Sequence, residues 1–327
     1  MYEFPLVSVC IVTYNSSQFI IETLESIKLQ DYQNIELIIS DDASNDNTIA
    51  LCNEWINSNA NYFVKVDLLL SNVNTGVACN LQRGYLACHG KYIKFLAGDD
   101  CLCMNAISEY VKFINENQCS VCVSDFLLID AQGNLLDNNN LESVYDNYLI
   151  YCNYSLDKQK RLISKYLFIP GPPSFFKKKV LDEIGGWPIE YPFADEWPLF
   201  YNIISLGYKV FPLNRKLVKY RIHNSLCRGS YNGLINKKVF DSTKLFVNQE
   251  IIPSLIRQNR LIIALHLLIC YYVQGKKYSN PNTIIRFLKL LSPYFYFEKM
   301  SQCIHFVSSY KKKYSLIENN LDHSSCK

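Results

Sequence analysis

Four short apolar runs, each ended by a polar cluster and most followed by an amphipathic stretch, constrain this chain more than any other feature. Val7 to Thr13 (VSVCIVT) and Ile35 to Ser40 (IELIIS) read as buried strands, and Val64 to Leu70 and Lys91 to Leu96 (KYIKFL) as a third and a fourth strand. Between them, Phe19 to Leu29, Thr48 to Asn57 and Gly76 to Cys88 read as helices. Ile20, Leu24 and Ile27 stand at helical spacing, and Ser17 is placed to cap that helix. Strands alternating with helices predict an α/β fold, a doubly wound, mostly parallel sheet flanked by helices. Ligands of such sheets bind outside the carboxyl ends of the strands. Tyr14-Asn15, Asp41-Asp42 and Ala97-Gly98-Asp99-Asp100 follow strands one, two and four, so three loops converge on one crevice.

Beyond Asp100 the rhythm changes. Ala106 to Asn115 predicts a helix, Ser120 to Ile129 a strand, and residues 131–134 a turn. Asp137 to Asn153 is Asn-rich and reads as an exposed loop, and Pro170-Gly171-Pro172-Pro173 reads as a rigid bend. Val180 to Ile184 and Trp197 to Leu206 are helical and closed by glycines; Lys209 to Phe211 and Leu217 to Ile222 read as two strands. From Gly233 the pattern is helical.

The chain of 327 residues is 49% hydrophobic and 19% charged, which supports a sizeable core and excludes a disordered or fibrous chain. A net charge of +3 gives no footprint for nucleic acid. From Phe240 to Lys327 there are twelve Lys and Arg against five Asp and Glu, a net of +7; the first 239 residues hold 21 against 25, a net of −4. We therefore expect a main domain over residues 1–228 and a basic, helical C-terminal region over residues 233–327. The 13 cysteines show no repeated pair spacing, and the Met-Tyr-Glu-Phe-Pro start lacks a secretory leader pattern, so free thiols in a cytoplasmic setting are expected. No apolar run reaches 18 residues; Leu261 to Val273 suits a core helix or an interfacial one.

Several groups have both a chemical and a bland reading. Asp99-Asp100 after a strand suits a hard divalent cation shared with phosphate, or is ordinary turn material. Asp41-Asp42 can hydrogen-bond a ribose or base, or open the helix that follows. Asp195-Glu196 can supply a general base, or complement a helix N-terminus. His223 can reach a metal or phosphate, or is structural or simply exposed, and Arg221 can pair with phosphate. No Gly-rich phosphate loop of either common type occurs, which argues against Rossmann dehydrogenases and P-loop enzymes.

In order, these pieces resemble the inverting glycosyltransferase family 2, of GT-A fold and bacterial surface-polysaccharide type. The resemblance rests on residues 9–15 (VCIVTYN), 36–48 (ELIISDDASNDNT), 74–78 (NTGVA), 90–100 (GKYIKFLAGDD), 195–197 (DEW) and 220–225 (YRIHNS). It implies transfer of a hexosyl or hexosaminyl group from a UDP- or dTDP-sugar to an acceptor hydroxyl, on a glycan or lipid-linked glycan of O-antigen or capsule synthesis. By the same resemblance Thr13, Tyr14 and Asn15 pack on the nucleoside, Asp42 contacts the base, and Asp99 and Asp100 form the DXD-type motif. Asp100 is the implied ligand of Mg²⁺ or Mn²⁺, with Asp99 facing the nucleotide-sugar and His223 approaching the metal. The family's common form has Asp where this chain has Ala97, and Glu-Asp where it has Asp195-Glu196; the base position falls on Glu196, with Asp195 beside it. Lipid-linked acceptors imply peripheral docking of the basic region at the inner face of the cytoplasmic membrane. A non-catalytic GT-A-like binder of nucleotide-sugar or glycan is the competing reading.

Overall fold

The computed structural model describes residues 4–136, 148–167, 169–223 and 236–277. The chain divides into two compact units, the second beginning at Val247.

The first unit is built on an eight-stranded sheet of order β3-β2-β1-β4-β7-β6-β8-β5. Strands β1 (Val7–Thr13), β2 (Ile35–Asp41), β3 (Lys65–Leu70) and β4 (Tyr92–Ala97) are parallel, as the alternation predicts. Helices α1 (Ile20–Lys28), α2 (Thr48–Asn59) and α3 (Val77–Leu86) form the crossovers. β1 lies between β2 and β4, and Val9, Cys10 and Ile11 have no exposed surface. That burial explains why β1 is apolar at successive positions and not at alternate ones. In-register pairing sets Thr13 beside Asp41 and Val12 beside Ala97, so three strand ends finish level.

The second half of the sheet is mixed. β5 (Cys101–Leu102), β6 (Val121–Ile129), β7 (Ser174–Lys177) and β8 (Val210–Arg221) follow, with α4 (Ala106–Glu116) after β5. β7 runs antiparallel between β4 and β6, whereas β6 and β8 are parallel with register shifts around Asp125. Because β7 opposes β4 in direction, the residues before Ser174 lie at the same sheet end as those after Ala97.

Four expectations change. The two strands read at 209–222 are one continuous strand: exposed Asn214 and Arg215 stand in the register shift after Ser124, and Lys216 resumes the pairing with β6 at Asp125. Part of the Asn-rich loop is helix α5 (Tyr148–Asn153), whose Tyr148 is buried and donates to Ser124 O at 2.6 Å; residues 137–147 lie outside the described residues. A further helix, α6 (Leu156–Ile163), had no reading in the sequence. Ser17 does not cap α1: its N–H donates to Asp46 Oδ2 at 3.0 Å, and the Ser16 carbonyl receives the first helical amides. α7 (Lys178–Ile184) and α8 (Glu196–Leu206) end as expected on left-handed glycines, Gly185 and Gly207. α9 (Lys237–Phe246) closes the unit.

The second unit is helical where described, with a π-turn at Val247–Ile251, then α10 (Ile252–Arg257) and α11 (Leu261–Lys277). No described helix is long and apolar enough to cross a membrane. The lysines at 311–313 and the aromatic run at 288–297 lie outside the described residues.

Candidate active site

The loops after β1 and β2 are stitched together through polar side chains. Thr13 Oγ1 donates to Asp41 Oδ2 at 2.8 Å, Asn15 N donates to Ser44 Oγ at 2.8 Å, and Asn45 N donates to Asn15 Oδ1 at 2.8 Å. Asn15 and Ala43 both hold left-handed backbone, φ 53° and 66°. Asparagine tolerates that region; alanine there is strained and persists only because these contacts over-determine the loop. Thr13 is buried, Tyr14 half-buried and Asn15 exposed, so the loop's rim is open at the crevice.

Asp42, expected to contact the base, is hydrogen-bonded within the protein. Its Oδ2 accepts from Thr75 N at 2.9 Å and Gly76 N at 2.8 Å; its Oδ1 accepts from Thr75 Oγ1 at 2.6 Å and Arg83 Nη2 at 3.1 Å. A carboxylate has about four acceptor sites, and these partners use them. Asp42 thus ties the 74–76 loop to the end of β2. Gly76 is needed there: its φ is +94°, and a Cβ would stand 2.5 Å from Pro192 O.

The acidic turn after β4 is held from behind by Arg221, whose side chain is buried. Arg221 N donates to Asp100 Oδ1 at 2.9 Å, Nε to Asp99 O at 2.7 Å, Nη1 to Asp130 O at 3.0 Å and Nη2 to Glu22 Oε2 at 2.5 Å. A guanidinium so committed is not available to a phosphate, which corrects the phosphate reading of Arg221. The β5–β8 pairing places it here.

Asp99 and His223 face each other, with Nε2 and Oδ2 2.7 Å apart and both half-buried. Asp100 is 1% exposed, and its Oδ2 is the one buried side-chain nitrogen or oxygen without a hydrogen-bond partner among the described residues. Burial, and then the Asp99 charge, push the Asp100 carboxyl well above the usual carboxylate range. An unpartnered carboxylate oxygen beside a carboxylate–imidazole pair fits a divalent cation, which would restore Asp100 to its charged form. No three His, Cys, Asp or Glu side chains converge as a complete set among the described residues, so phosphate oxygens and water would supply other ligands.

Glu196 opens α8, with Asp195 at its N-cap. Asp195 makes no side-chain capping bond, and Glu196 turns back toward the proline-rich bend, where its Oε1 accepts from Gly171 N at 2.6 Å. A Cβ on Gly171 would lie 2.6 Å from that oxygen, so only glycine permits the approach. Desolvation, then the Asp195 charge, push the Glu196 carboxyl up to about 8, although the Gly171 N–H opposes the shift. Asp195 is raised too, by desolvation. A carboxylate so tuned can take a proton near neutral pH. The sequence pointed to the bend and to Glu196 separately; that Gly171 holds Glu196 had no local signal.

A mixed eight-stranded sheet of this order, flanked by helices and with acidic turns after β2 and β4, is an α/β sheet of the GT-A kind. The chain belongs to glycosyl transferase family 2, whose model matches residues 8–185. It is 27% identical over 236 residues to the Escherichia coli UDP-Glc:alpha-D-GlcNAc-diphosphoundecaprenol beta-1,3-glucosyltransferase WfaP, covering 71% of this chain and 84% of that one. An uncharacterized glycosyltransferase of Haemophilus influenzae is 30% identical over 130 residues, 40% of this chain; the alignment spans 50% of that relative's length. Among solved structures, S. aureus TarS 1–349 with UDP-GlcNAc superposes with a TM-score of 0.57 at 16% identity, covering 76% of this chain and 66% of that one. The Pyrobaculum calidifontis mannosyltransferase PcManGT, with GDP-Man and Mn²⁺, gives 0.54 at 14% identity, covering 90% and 86%. At those identities the likeness shows the fold alone.

Proposed function

We propose that this enzyme transfers a sugar, with inversion, from a UDP- or dTDP-sugar to a hydroxyl of a glycan acceptor in surface-polysaccharide synthesis. The observation that carries the reading is Glu196, a carboxylate of raised proton affinity held by Gly171 N–H at the sheet end that also bears Asp99 and His223. The acceptor hydroxyl gives its proton to a Glu196 carboxylate oxygen. The freed oxygen attacks the anomeric carbon opposite the diphosphate, the carbon–oxygen bond to the diphosphate breaks, and the nucleotide leaves with that electron pair. Asp195 raises the proton affinity of its neighbour by its charge.

Asp99 and His223 would hold a Mg²⁺ or Mn²⁺ ion at the mouth of the site, with Asp100 Oδ2 behind them. Bound there, the cation stabilises negative charge on the departing diphosphate as a Lewis acid. The sequence resemblance puts the ligand role first on Asp100; the exposure of the Asp99–His223 pair supports those two as its outer ligands. Thr13, Tyr14 and Asn15 line the nucleoside side, and Asp42 shapes that pocket by holding the 74–76 loop.

The acceptor of WfaP, by its name a GlcNAc-diphosphoundecaprenol, supports a lipid-linked glycan as acceptor here as well. Leu261, Ile262, Leu265 and Leu268 are exposed on α11 within the basic region, which supports peripheral contact with an anionic membrane surface. Nucleotide release from a panel of UDP- and dTDP-sugars, with Mn²⁺ and a polyprenyl-diphosphate-linked acceptor, tests the activity. Binding of a nucleotide-sugar without any release would favour the non-catalytic reading. Flotation with anionic liposomes at low salt tests the docking; protein left wholly in the soluble fraction would exclude it.

A further inference from the structure

Lys94 sits in the middle of β4, paired with Val9 on one side and Phe175 on the other, with no exposed surface. Among the described residues no other lysine is buried. A charge in the interior of a central strand is costly unless its hydrogen bonds are met, and an apolar residue would fill the same space without that cost. Its partners show what it is used for.

The turn from Pro170 to Ser174 contains three prolines, which supply carbonyls but no N–H. Its acceptors must therefore find donors elsewhere. Ser174 Oγ donates to Pro170 O at 2.9 Å and Ser174 N to Gly171 O at 2.9 Å. Tyr110 Oη donates to Pro173 O at 2.9 Å, as does Ser124 N at 3.0 Å. Lys94 Nζ donates to Pro172 O and, at 3.2 Å, to Ser174 O, and lies 5.3 Å from the centre of the Tyr110 ring. Each carbonyl from Pro170 to Ser174 is thus held, those of Pro170 and Gly171 by Ser174 and those of Pro172, Pro173 and Ser174 by Lys94, Tyr110 and Ser124. Gly171 carries the first N–H of the turn, and it points to Glu196 Oε1.

We propose that Lys94 is a positioning residue for Glu196: by clamping the Pro172 and Ser174 carbonyls it fixes the turn in which Ser174 holds the two carbonyls flanking the Gly171 N–H, and so the direction in which that N–H holds the carboxylate. The proposal rests on the reading of Glu196 as the base. Since β4 also ends in the acidic turn, one strand sets both the leaving-group side and the base side of the reaction. A misplacement of about 1 Å at a reacting group can cost about a hundredfold in rate, so a clamp remote from substrate has a measurable effect.

The test uses the full chain labelled with ¹⁵N-glycine. Only 12 glycines are present, and the Gly171 resonance is the one absent from Gly171→Ala. In the unchanged protein it should lie downfield and move with pH as Glu196 titrates; Glu196→Gln should abolish that movement. Lys94→Met should shift the resonance upfield, remove its pH response and lower kcat about a hundredfold, with the affinity for UDP unchanged. Lys94→Gln, whose amide keeps two N–H donors, should recover most of the loss. An unchanged Gly171 resonance in Lys94→Met overturns the proposal, as does a parallel fall in kcat and UDP affinity. If neither Lys94 variant folds, Lys94 is a fold determinant and the positioning role is lost. Full activity in Glu196→Gln would instead remove the base reading, whatever the Gly171 resonance does.

Discussion

Asp99 Oδ2 and His223 Nε2 are 2.7 Å apart although 124 positions separate them in the chain. The contact is made because β5 pairs antiparallel with β8, which returns the end of β8 to the turn after β4. Phe19 packs 4.7 Å from the imidazole between ring centres and limits where the ring can turn. The pair is consequently preorganised for a shared partner at the mouth of the site.

Removing either member of that pair should abolish activation by Mn²⁺. Asp99→Ala and His223→Ala are expected to lose nucleotide release and to show no thermal shift with UDP and Mn²⁺, while remaining folded. Asp100→Ala should be inactive as well and also less stable, because Arg221 N loses its acceptor. Turnover of Asp100→Ala in EDTA at the rate of the unchanged protein would remove the metal assignment.

Glu196→Gln should lower kcat by roughly 10²–10⁴, the usual range for a general base, with UDP affinity retained. Asp195→Asn should be milder and shift the pH profile to lower pH, since its charge is one cause of the raised Glu196 proton affinity. If Asp195→Asn is the crippling change, the two roles are reversed.

The pH dependence follows from the same shift. A base must be deprotonated, so kcat should climb with pH and level off above about 8. Stability should move the other way. A carboxyl that binds its proton more tightly when folded favours the folded state at low pH, and that advantage is lost as pH rises from the ordinary Glu range through about 8. Denaturant midpoints for the unchanged protein and Glu196→Gln, taken across that window, should diverge; parallel curves would show that the proton affinity is not raised.

Asp42→Ala should cost stability before it costs nucleotide contact. It takes the acceptor from the Thr75 amide and the shorter of two acceptors from the Gly76 amide, while Arg83 keeps Asp41 O, Asn80 and Thr75, and an unsatisfied buried donor costs about 1–3 kcal/mol. The expected result is a lower denaturation midpoint together with weaker UDP binding by calorimetry. A stable variant with weak UDP binding would instead return Asp42 to direct base contact.

Much of this molecule was legible in the residue order. The runs at Val7–Thr13 and Ile35–Asp41 announce buried parallel strands, because strands covered on both faces must be apolar at successive positions. The polar residues after them announce the ligand edge, since a parallel sheet ends all its strands on one side. The ordered motifs from Val9 to His223 carry the family.

Partnership was decided only in three dimensions. Asp42 and Arg221 are as polar in the sequence as Asp99 and His223, yet the fold consumes the first two in holding loops and leaves the second two facing the crevice. Lys94 reads as an interruption of an apolar strand until β7 brings the proline turn above it. Hydrophobic period is a local property, written in neighbours along the chain. The partner that satisfies a buried donor or acceptor comes from whatever element the topology lays alongside, here 25 positions away for Gly171 and Glu196 and 124 for Asp99 and His223.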